Sequence, residues 1–197
     1  VSRGGSSKSY AISSAEGTIN KIVYRGGDAN DTIDFSGFNN TSIILEIEGG
    51  AGDDIIKGGN AHANSYIYGG LGNDTITGGS GNEIIYGNEG NDTILGGSGN
   101  DVIIGGLGND ILNGQDGDDK YLYGTTSDEQ RLGWGSDTIN DSGSGTDTLD
   151  FSAIRSSQAM LFNLNGSGGV ITGGDVNDLA KRVTLNTTSI EKYLGGS

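Results

Sequence analysis

The chain has 197 residues and a formal net charge of −15, with only eleven Lys and Arg that form no basic stripe, which argues against a nucleic-acid partner. Thirty-nine glycines and a hydrophobic fraction of 32% leave little side-chain area for a core, and the negative charges repel one another unless counter-charge is bound. Cysteine is absent, which excludes disulfides and thiolate metal sites, and no apolar run is long enough to span a bilayer.

Residues 1–48 are predicted to form strands that include one early copy of a nine-residue motif. This copy is GGDANDTID at 26–34, which places Asp31 at its sixth position. The segment DTIDFSGF at 31–38 is echoed by DTLDFSAI at 147–154, and an alternating apolar stretch follows each of them. The two echoing segments are therefore predicted to be strands on either side of the main repeat block.

The main block repeats the motif Gly-Gly-x-Gly-x-Asp-x-U-x, with U apolar, six times without a gap between Gly69 and Leu122, and another copy starts at Gly49. Glycines at positions 1, 2 and 4 permit backbone conformations closed to residues with a Cβ, so the first six residues can turn tightly. If alternate copies form two facing parallel sheets, a full coil takes eighteen residues. The apolar residues at position 8 then face inward: Ile56, Ile67, Ile76, Ile85, Ile94, Ile103, Leu112 and Tyr121.

Two copies are irregular. Residues 58–68 contain two extra residues and have Ser65 in place of the Asp. In frame after Leu122, the copy 123–131 lacks its apolar strand residue, whereas 132–140 restores the motif with Asp137 at position 6. The nonapeptide frame is therefore predicted to run from 69 to 140, with the copy at 132 eighteen residues after Gly114 and with 123–131 either in frame or bulged out as a loop.

Turns that combine carbonyls with one carboxylate every nine residues suit a hard, oxygen-preferring cation such as calcium. The motif resembles the hemolysin-type calcium-binding repeats of secreted bacterial RTX proteins, tightly over 49–122 and more loosely over 26–48 and 123–150. The resemblance implies an all-β fold, a calcium-bound parallel β-roll flanked by broader strands that cover its open ends. The implied units are N-terminal strands at 1–48, the β-roll at 49–140, and C-terminal capping strands at 141–197 that lead into a further repeat block.

In the family, each ion lies between turns two copies apart. One turn gives the carbonyls of positions 2 and 4 and its Asp, and the other gives the carbonyls of positions 1 and 3 and its Asp. The four regular ligand sets implied here are Gly50, Gly52 and Asp54 with Gly69, Leu71 and Asp74; Gly70, Gly72 and Asp74 with Gly87, Glu89 and Asp92; Asn88, Gly90 and Asp92 with Gly105, Leu107 and Asp110; and Gly97, Gly99 and Asp101 with Gly114, Asp116 and Asp119. At least four Ca²⁺ ions are therefore expected.

A less regular site must fit the longer carboxylate of a glutamate; its ligands are Gly79, Gly81 and Glu83 with Gly96, Ser98 and Asp101. Whether the site between the copy with Ser65 and the turn at Gly78 is filled stays open. Asp31 and Asp137 are further candidate ligands in the flanking copies. Asn88 and Gln115 stand at position 2, where a positive φ is needed, which Asn adopts more readily than Gln.

Other chemistry has little support in the sequence. His62 is the only histidine and is expected to be an exposed loop residue, since it has no Cys or second His as a partner for zinc. No Ser-His-Asp set can be assembled. Trp134, Tyr121 and Tyr123 with Arg131 either form a sugar-stacking surface or cap the core.

The preferred interpretation is a non-catalytic calcium-binding module of a large extracellular or cell-surface protein of the adhesin or surface-layer type. By resemblance, it would leave the cell by type I secretion and fold on calcium outside. The ending SIEKYLGGS favours a segment of a longer array. The alternatives are a carbohydrate-binding module, or the C-terminal module of a secreted protease, lipase or polysaccharide-modifying enzyme whose catalytic domain lies outside the segment. Expected partners besides calcium are extracellular polysaccharide or neighbouring copies of the same array.

Overall fold

The computed structural model describes both backbone and side chains for residues 19–60, 65–124, 135–151 and 153. It also gives the backbone of six further short strands. The regular elements in these parts of the chain are all strands, as the all-β prediction requires. Within the same residues there is no helix with the length and hydropathy needed to cross a membrane.

The strands are β1 (Ser2–Arg3), β2 (Ser6–Ser7), β3 (Lys21–Gly27), β4 (Thr32–Asp34), β5 (Ile44–Ala51), β6 (Ile55–Lys57), β7 (Ser65–Leu71), β8 (Thr75–Gly79), β9 (Glu83–Glu89), β10 (Thr93–Ser98), β11 (Val102–Leu107), β12 (Ile111–Asp116), β13 (Lys120–Leu122), β14 (Gly135–Ile139), β15 (Asp147–Asp150), β16 (Met160–Leu164), β17 (Gly169–Gly173), β18 (Lys181–Leu185) and β19 (Ile190–Leu194).

Successive strands from β3 to β15 alternate between two sheets. Sheet I has the order β19-β15-β13-β11-β9-β7-β5-β3, and sheet II has the order β16-β17-β18-β14-β12-β10-β8-β6-β4-β1-β2. All pairs between β3 and β15 are parallel, so two strands and two turns make one coil of the chain. The predicted parallel β-roll is confirmed. At the ends, β1–β2, β1–β4, β16–β17 and β17–β18 pair antiparallel.

The core is a single file of side chains from each sheet. Ile76 pairs with Ile94 and Ile94 with Leu112 in sheet II, and each of these side chains is fully buried. Every position-8 residue named above is buried in the same way, as the motif predicts. Each such burial contributes roughly 1.5–3 kcal/mol. Because one rung offers only one or two of these side chains, burial alone is a weak source of stability for this fold.

The stacking beyond β12 differs from the predicted eighteen-residue frame. Leu112 pairs with Ile139, and the acids one turn earlier, Asp110 and Asp137, are 27 residues apart. The copy at 132 takes the rung above the copy at 105, so the in-frame alternative for 123–131 is wrong and the 27-residue step fits the loop alternative. The physical reason lies in the intervening copy, which has no apolar residue at position 8 to hold a rung in the core. Residues 125–134 lie outside the described part of the chain.

The echoing segments extend the roll and do not cover its ends. Their strands β4 and β15 are only three and four residues long, and they pair parallel with β6 and β13. Ile33 and Leu149 enter the core file and are fully buried. Strands β4 and β15 thus form ordinary rungs, because each of these segments has the same Asp-Thr-apolar spacing as the regular copies.

Candidate metal centre

The turns place their acidic residues along two edges of the roll. The first edge consists of the turns from sheet I to sheet II and carries Asp31, Asp54, Asp74, Asp92, Asp110 and Asp137. The second edge consists of the turns from sheet II to sheet I and carries Ser65, Glu83, Asp101, Asp119 and Asp147. All eleven of these side chains are buried. Buried carboxylates are costly unless hydrogen bonds or cations compensate them.

In these ladder acids, Oδ1 of every aspartate after Asp31 accepts an N–H from the preceding turn on its edge, whereas no such bond is made to Asp31 or Glu83. The N–H of Asp74 donates to Oδ1 of Asp92 at 2.8 Å, and the N–H of Asp92 donates to Oδ1 of Asp110 at 2.9 Å. The second edge repeats this arrangement, with the N–H of Asp101 donating to Oδ1 of Asp119 at 2.8 Å. These bonds fix the side chains, so the other carboxylate oxygen has a defined direction.

That other oxygen is buried and lacks a hydrogen-bond partner in five ladder acids. These oxygens are Oδ2 of Asp54, Asp74, Asp92, Asp101 and Asp119. A buried polar atom left unsatisfied costs about 1–3 kcal/mol, and more when it is charged. Oxygens arranged in this way require a cation or a proton.

Backbone carbonyls surround these carboxylates. A Cβ built on Gly69 would overlap both Oδ2 of Asp74 and the carbonyl oxygen of Gly87, so the two oxygens converge beside the Gly69 Cα. A Cβ on Gly70 would overlap the carbonyl oxygen of Gly50, which faces up from the turn below. The same contacts recur along both edges at Gly49, Gly87 and Gly96 for position 1, and at Gly72, Gly90, Gly97, Gly99, Gly106, Gly108 and Gly117 for positions 2 and 4. Glycine is required because the oxygens occupy the space that a side chain would fill.

The predicted ligands at position 3 have a second task. The carbonyl of Leu71 accepts the N–H of Gly52 at 2.8 Å, and the carbonyl of Glu89 accepts the N–H of Gly72 at 2.9 Å. A carbonyl oxygen has two lone pairs, so one remains for a cation. The structure thus brings the predicted ligand atoms of positions 1, 2, 4 and 6 towards the gap between turns, with the position-3 carbonyls at its margin.

Burial raises the pKa of the ladder acids. The pKa reaches about 7 for Asp74, Asp92 and Asp101, about 6 for Asp119 and about 8 for Glu83. Neighbouring carboxylates on the same edge add to the rise, whereas the N–H donors to the aspartates oppose it. The charged form is disfavoured in these surroundings, so a cation beside each carboxylate stabilises the fold.

Four copies of the RTX calcium-binding nonapeptide repeat match the chain, at residues 46–62, 63–94, 86–121 and 95–128. Residues 46–128 form an RTX β-roll. RTX repeats bind calcium, and an RTX β-roll is a structural module that is not catalytic by itself. No curated protein matches the chain.

The irregular positions of the RTX β-roll are accommodated in different ways. Asn88 and Gln115 keep a positive φ, with values of 77° and 73° that are lower than the 113–154° of the glycines at the same position, Gly50, Gly70, Gly79, Gly97 and Gly106. Ser65 is buried and pairs with Glu83 in the sheet, which leaves that turn without a carboxylate at position 6. Residues 61–64 of this copy, which include His62, lie outside the described residues.

Sequence reasoning missed one rung of the RTX β-roll and two of its acids. Residues 142–150, SGSGTDTLD, stack on the copy at 114, with Asp147 above Asp119. The signal in the sequence is Gly143, Gly145 and Asp147 at positions 2, 4 and 6. It is hidden because Ser142 replaces the first glycine. Asp141, which directly precedes this copy, is also buried beside the second edge.

The proposed sugar-stacking surface is wrong for its described members. Tyr121 and Tyr123 are buried, and the Tyr123 ring stacks on Phe151 with ring centroids 5.0 Å apart. Both rings lie inside the core, below the rung that carries Leu149 and Phe151, which agrees with the competing interpretation as core residues. Trp134 and Arg131 lie outside the described residues.

Proposed function

We propose that this RTX β-roll is a calcium-dependent folding module of a larger extracellular or cell-surface protein, and that it binds at least four Ca²⁺ ions. The observation that supports this most strongly is the file of buried carboxylates along each edge. In aspartates such as Asp92, Asp110 and Asp119 one oxygen is held by a backbone N–H, and the glycines of the turns bring carbonyl oxygens close to the other oxygen of acids such as Asp92. Surface acids without a ligand would instead be solvated.

The ligand sets that we propose are those of the eighteen-residue frame, from Asp54 to Asp119. Each inner acid, such as Asp92, contributes to the gap below it and to the gap above it, because hydrogen bonds join it to Asp74 on one side and to Asp110 on the other. Bound calcium supplies the positive charge that these buried carboxylates lack. Because neighbouring gaps share an acid, calcium binding is cooperative: an ion bound in one gap holds in place a carboxylate that is also a ligand in the next gap.

Without calcium, two properties of the chain oppose folding. The net charge of −15 repels itself, and thirty-nine glycines lose backbone entropy on ordering. We infer that the module stays unfolded at low cytosolic calcium, which suits export, and folds outside the cell at ~10⁻⁴–10⁻³ M calcium, the range typical of extracellular modules. The proposed units are 1–48, 49–140 and 141–197.

Circular dichroism in chelator and then in millimolar calcium tests the proposal. The expected result is a disordered spectrum that becomes β-rich as calcium is added, with no such change in magnesium, which demands a tighter octahedral site. A full β spectrum in chelator would contradict calcium-dependent folding.

The structural role is preferred over the two alternatives. The carbohydrate interpretation loses its aromatic support because Tyr121 and Tyr123 are buried. A role as the C-terminal module of a secreted enzyme uses the same calcium-dependent fold. Hundreds of further repeats in the flanking sequence would favour an adhesin or surface-layer protein, and a catalytic motif would favour the enzyme.

A further inference from the structure

Three carboxylates meet at the C-terminal end of the second edge. They belong to Asp119, Asp141 and Asp147, and their ligand oxygens all lie within 4.8 Å of one another. All three side chains are at least nine-tenths buried. The regular gaps of the roll combine two acids from stacked turns, whereas here a third acid comes from outside the motif.

The oxygens of this cluster are arranged for a ligand. The N–H groups of Asp101 and Asp119 donate to Oδ1 of Asp119 and of Asp147, at 2.8 Å and 3.0 Å. Oδ1 of Asp141 accepts the N–H of Gly143 at 3.4 Å. The second oxygens, Oδ2 of Asp119 and Oδ2 of Asp141, are buried without hydrogen-bond partners. Two unsatisfied carboxylate oxygens in one buried cluster point to a cation.

The position of Asp141 is unusual for the repeat. It occupies the residue just before a turn, where the regular copies have Lys57, Thr77, Leu95 and Asn113. The side chain of Lys120 forms an ion pair with Asp150, with 2.5 Å between Nζ and Oδ2. Tyr121 lies close enough to the cluster to be affected by it: burial and the nearby Asp141 carboxylate raise the pKa of the Tyr121 hydroxyl. The oxygen of this hydroxyl accepts the N–H of Gly114 at 2.6 Å.

The geometry points to a three-carboxylate calcium site formed by Asp119, Asp141 and Asp147, which closes the second edge where the chain returns after a 28-residue step. This inference rests on the proposed calcium binding of the module. Two oxygens on opposite sides of a calcium ion are about 4.6–5.2 Å apart, whereas those around magnesium are at most about 4.2 Å apart. Affinity for calcium rises with the number of charged ligands. This site is therefore the tightest of the module and fills first.

The inference is tested by counting bound calcium in two matched variants. Asp141→Asn removes the third negative charge with little change in shape. Asp118→Asn makes the same change at an exposed residue nearby, and it installs the amide that Asn91 and Asn100 have at position 5. The expected result, by calorimetry with ion counting by native mass spectrometry, is that Asp141→Asn loses the highest-affinity phase, because its site keeps only the two acids of a regular gap. Asp118→Asn should keep that phase.

The outcomes separate the two proposals. If the parent chain binds no calcium, the proposed function fails and this site fails with it. If the parent chain binds several ions and Asp141→Asn binds the same number with the same affinities, only the three-carboxylate site is overturned.

A second measurement does not depend on the folding of a variant. Crystals of the parent chain grown with terbium, a calcium substitute, should show an anomalous peak between the carboxylates of Asp119, Asp141 and Asp147. Terbium peaks between the regular turns with none at this cluster would contradict the inference.

Discussion

At the scale of single residues, the second position of each turn sets a strict backbone requirement. Asn88 and Gln115 meet it with φ values of 77° and 73°, in the left-handed region that glycine otherwise supplies. This conformation costs a residue with a Cβ roughly 1–2 kcal/mol, and Asn tolerates it better than other residues.

Gln115→Gly is expected to stabilise the calcium-loaded module by about 0.5–1 kcal/mol, since relief of backbone strain exceeds the extra entropy of glycine in the unfolded chain. Asn88→Gly should change the free energy of unfolding less. Urea denaturation in saturating calcium measures both values. A larger increase in the free energy of unfolding for Asn88→Gly than for Gln115→Gly would show that backbone strain does not determine which substitution stabilises more.

Asp92 illustrates how one carboxylate serves two gaps. Asp92→Ala removes a ligand from both neighbouring gaps and the acceptor of the Asp74 N–H. It is expected to raise the calcium midpoint for folding several-fold in a titration followed by circular dichroism. Glu89→Ala removes the same charge from an exposed side chain three residues earlier and keeps its carbonyl, so its midpoint should stay close to that of the parent chain.

Equal midpoints for Asp92→Ala and Glu89→Ala would contradict the shared-ligand arrangement. Asp92→Asn keeps Oδ1 as an acceptor and removes only the charge, so it separates cation binding from the hydrogen bond.

At the scale of turns and strands, a second ladder runs beside the acids and was not expected from the sequence. Oδ1 of Asn73 accepts the N–H of Asn91 at 2.9 Å, and Oδ1 of Asn91 accepts the N–H of Asn109 at 2.7 Å. These bonds run from the later turn to the earlier one, opposite to the bonds of the acid ladder. Each turn is therefore tied in both directions, which explains the frequent Asn at position 5.

Asn91→Ala is expected to lower the free energy of unfolding by about 1 kcal/mol, the usual contribution of one hydrogen bond, without changing the number of bound ions. Asn91→Asp keeps the Oδ1 acceptor, as Asp53 and Asp118 do at the same position, and should lose less stability. Calcium-saturated urea melts with ion counting distinguish the two variants. If both lose the same stability, the ladder bond is not the cause.

The sequence predicted the regular rungs well because both signals of a rung are local. An apolar residue at position 8 and an acid at position 6 specify what a turn does, as with Ile94 and Asp92. The sequence predicted less well which turns become neighbours. A fixed repeat period assumes a constant number of residues between stacked copies. In the structure, the copies that stack are successive copies that bury an apolar side chain. Leu112 therefore pairs with Ile139.

At the scale of the whole molecule, the buried acids couple folding to pH. Burial raises the pKa of Asp74, Asp92 and Asp101 to about 7, compared with about 3.9 in an unfolded chain. In chelator, the folded state therefore binds more protons than the unfolded state. The stability from this uptake is fully present below about pH 4 and is lost as pH rises through about 7.

In chelator, the β signal of the module is therefore expected to be larger at pH 5 than at pH 7.5. In limiting calcium the pH dependence is opposite, because protons compete with calcium for the ligand oxygens. The calcium midpoint for folding should therefore rise as pH falls. Circular dichroism at both pH values, with light scattering to exclude aggregation, measures this. A chelated chain equally unfolded at pH 5 and pH 7.5 would contradict it.

The parallel register also determines how genes for such modules can change length. Loss of residues 87–104, one full coil, would bring Asp110 onto Asp74 and Asp119 onto Glu83, so every remaining turn would find an equivalent neighbour. Loss of nine residues would move every later turn to the opposite edge. Unequal recombination between near-identical repeats can therefore shorten or lengthen the roll in steps of eighteen residues without disturbing its core. An odd copy is retained only when it leaves the stack, as the 27-residue step from Asp110 to Asp137 shows.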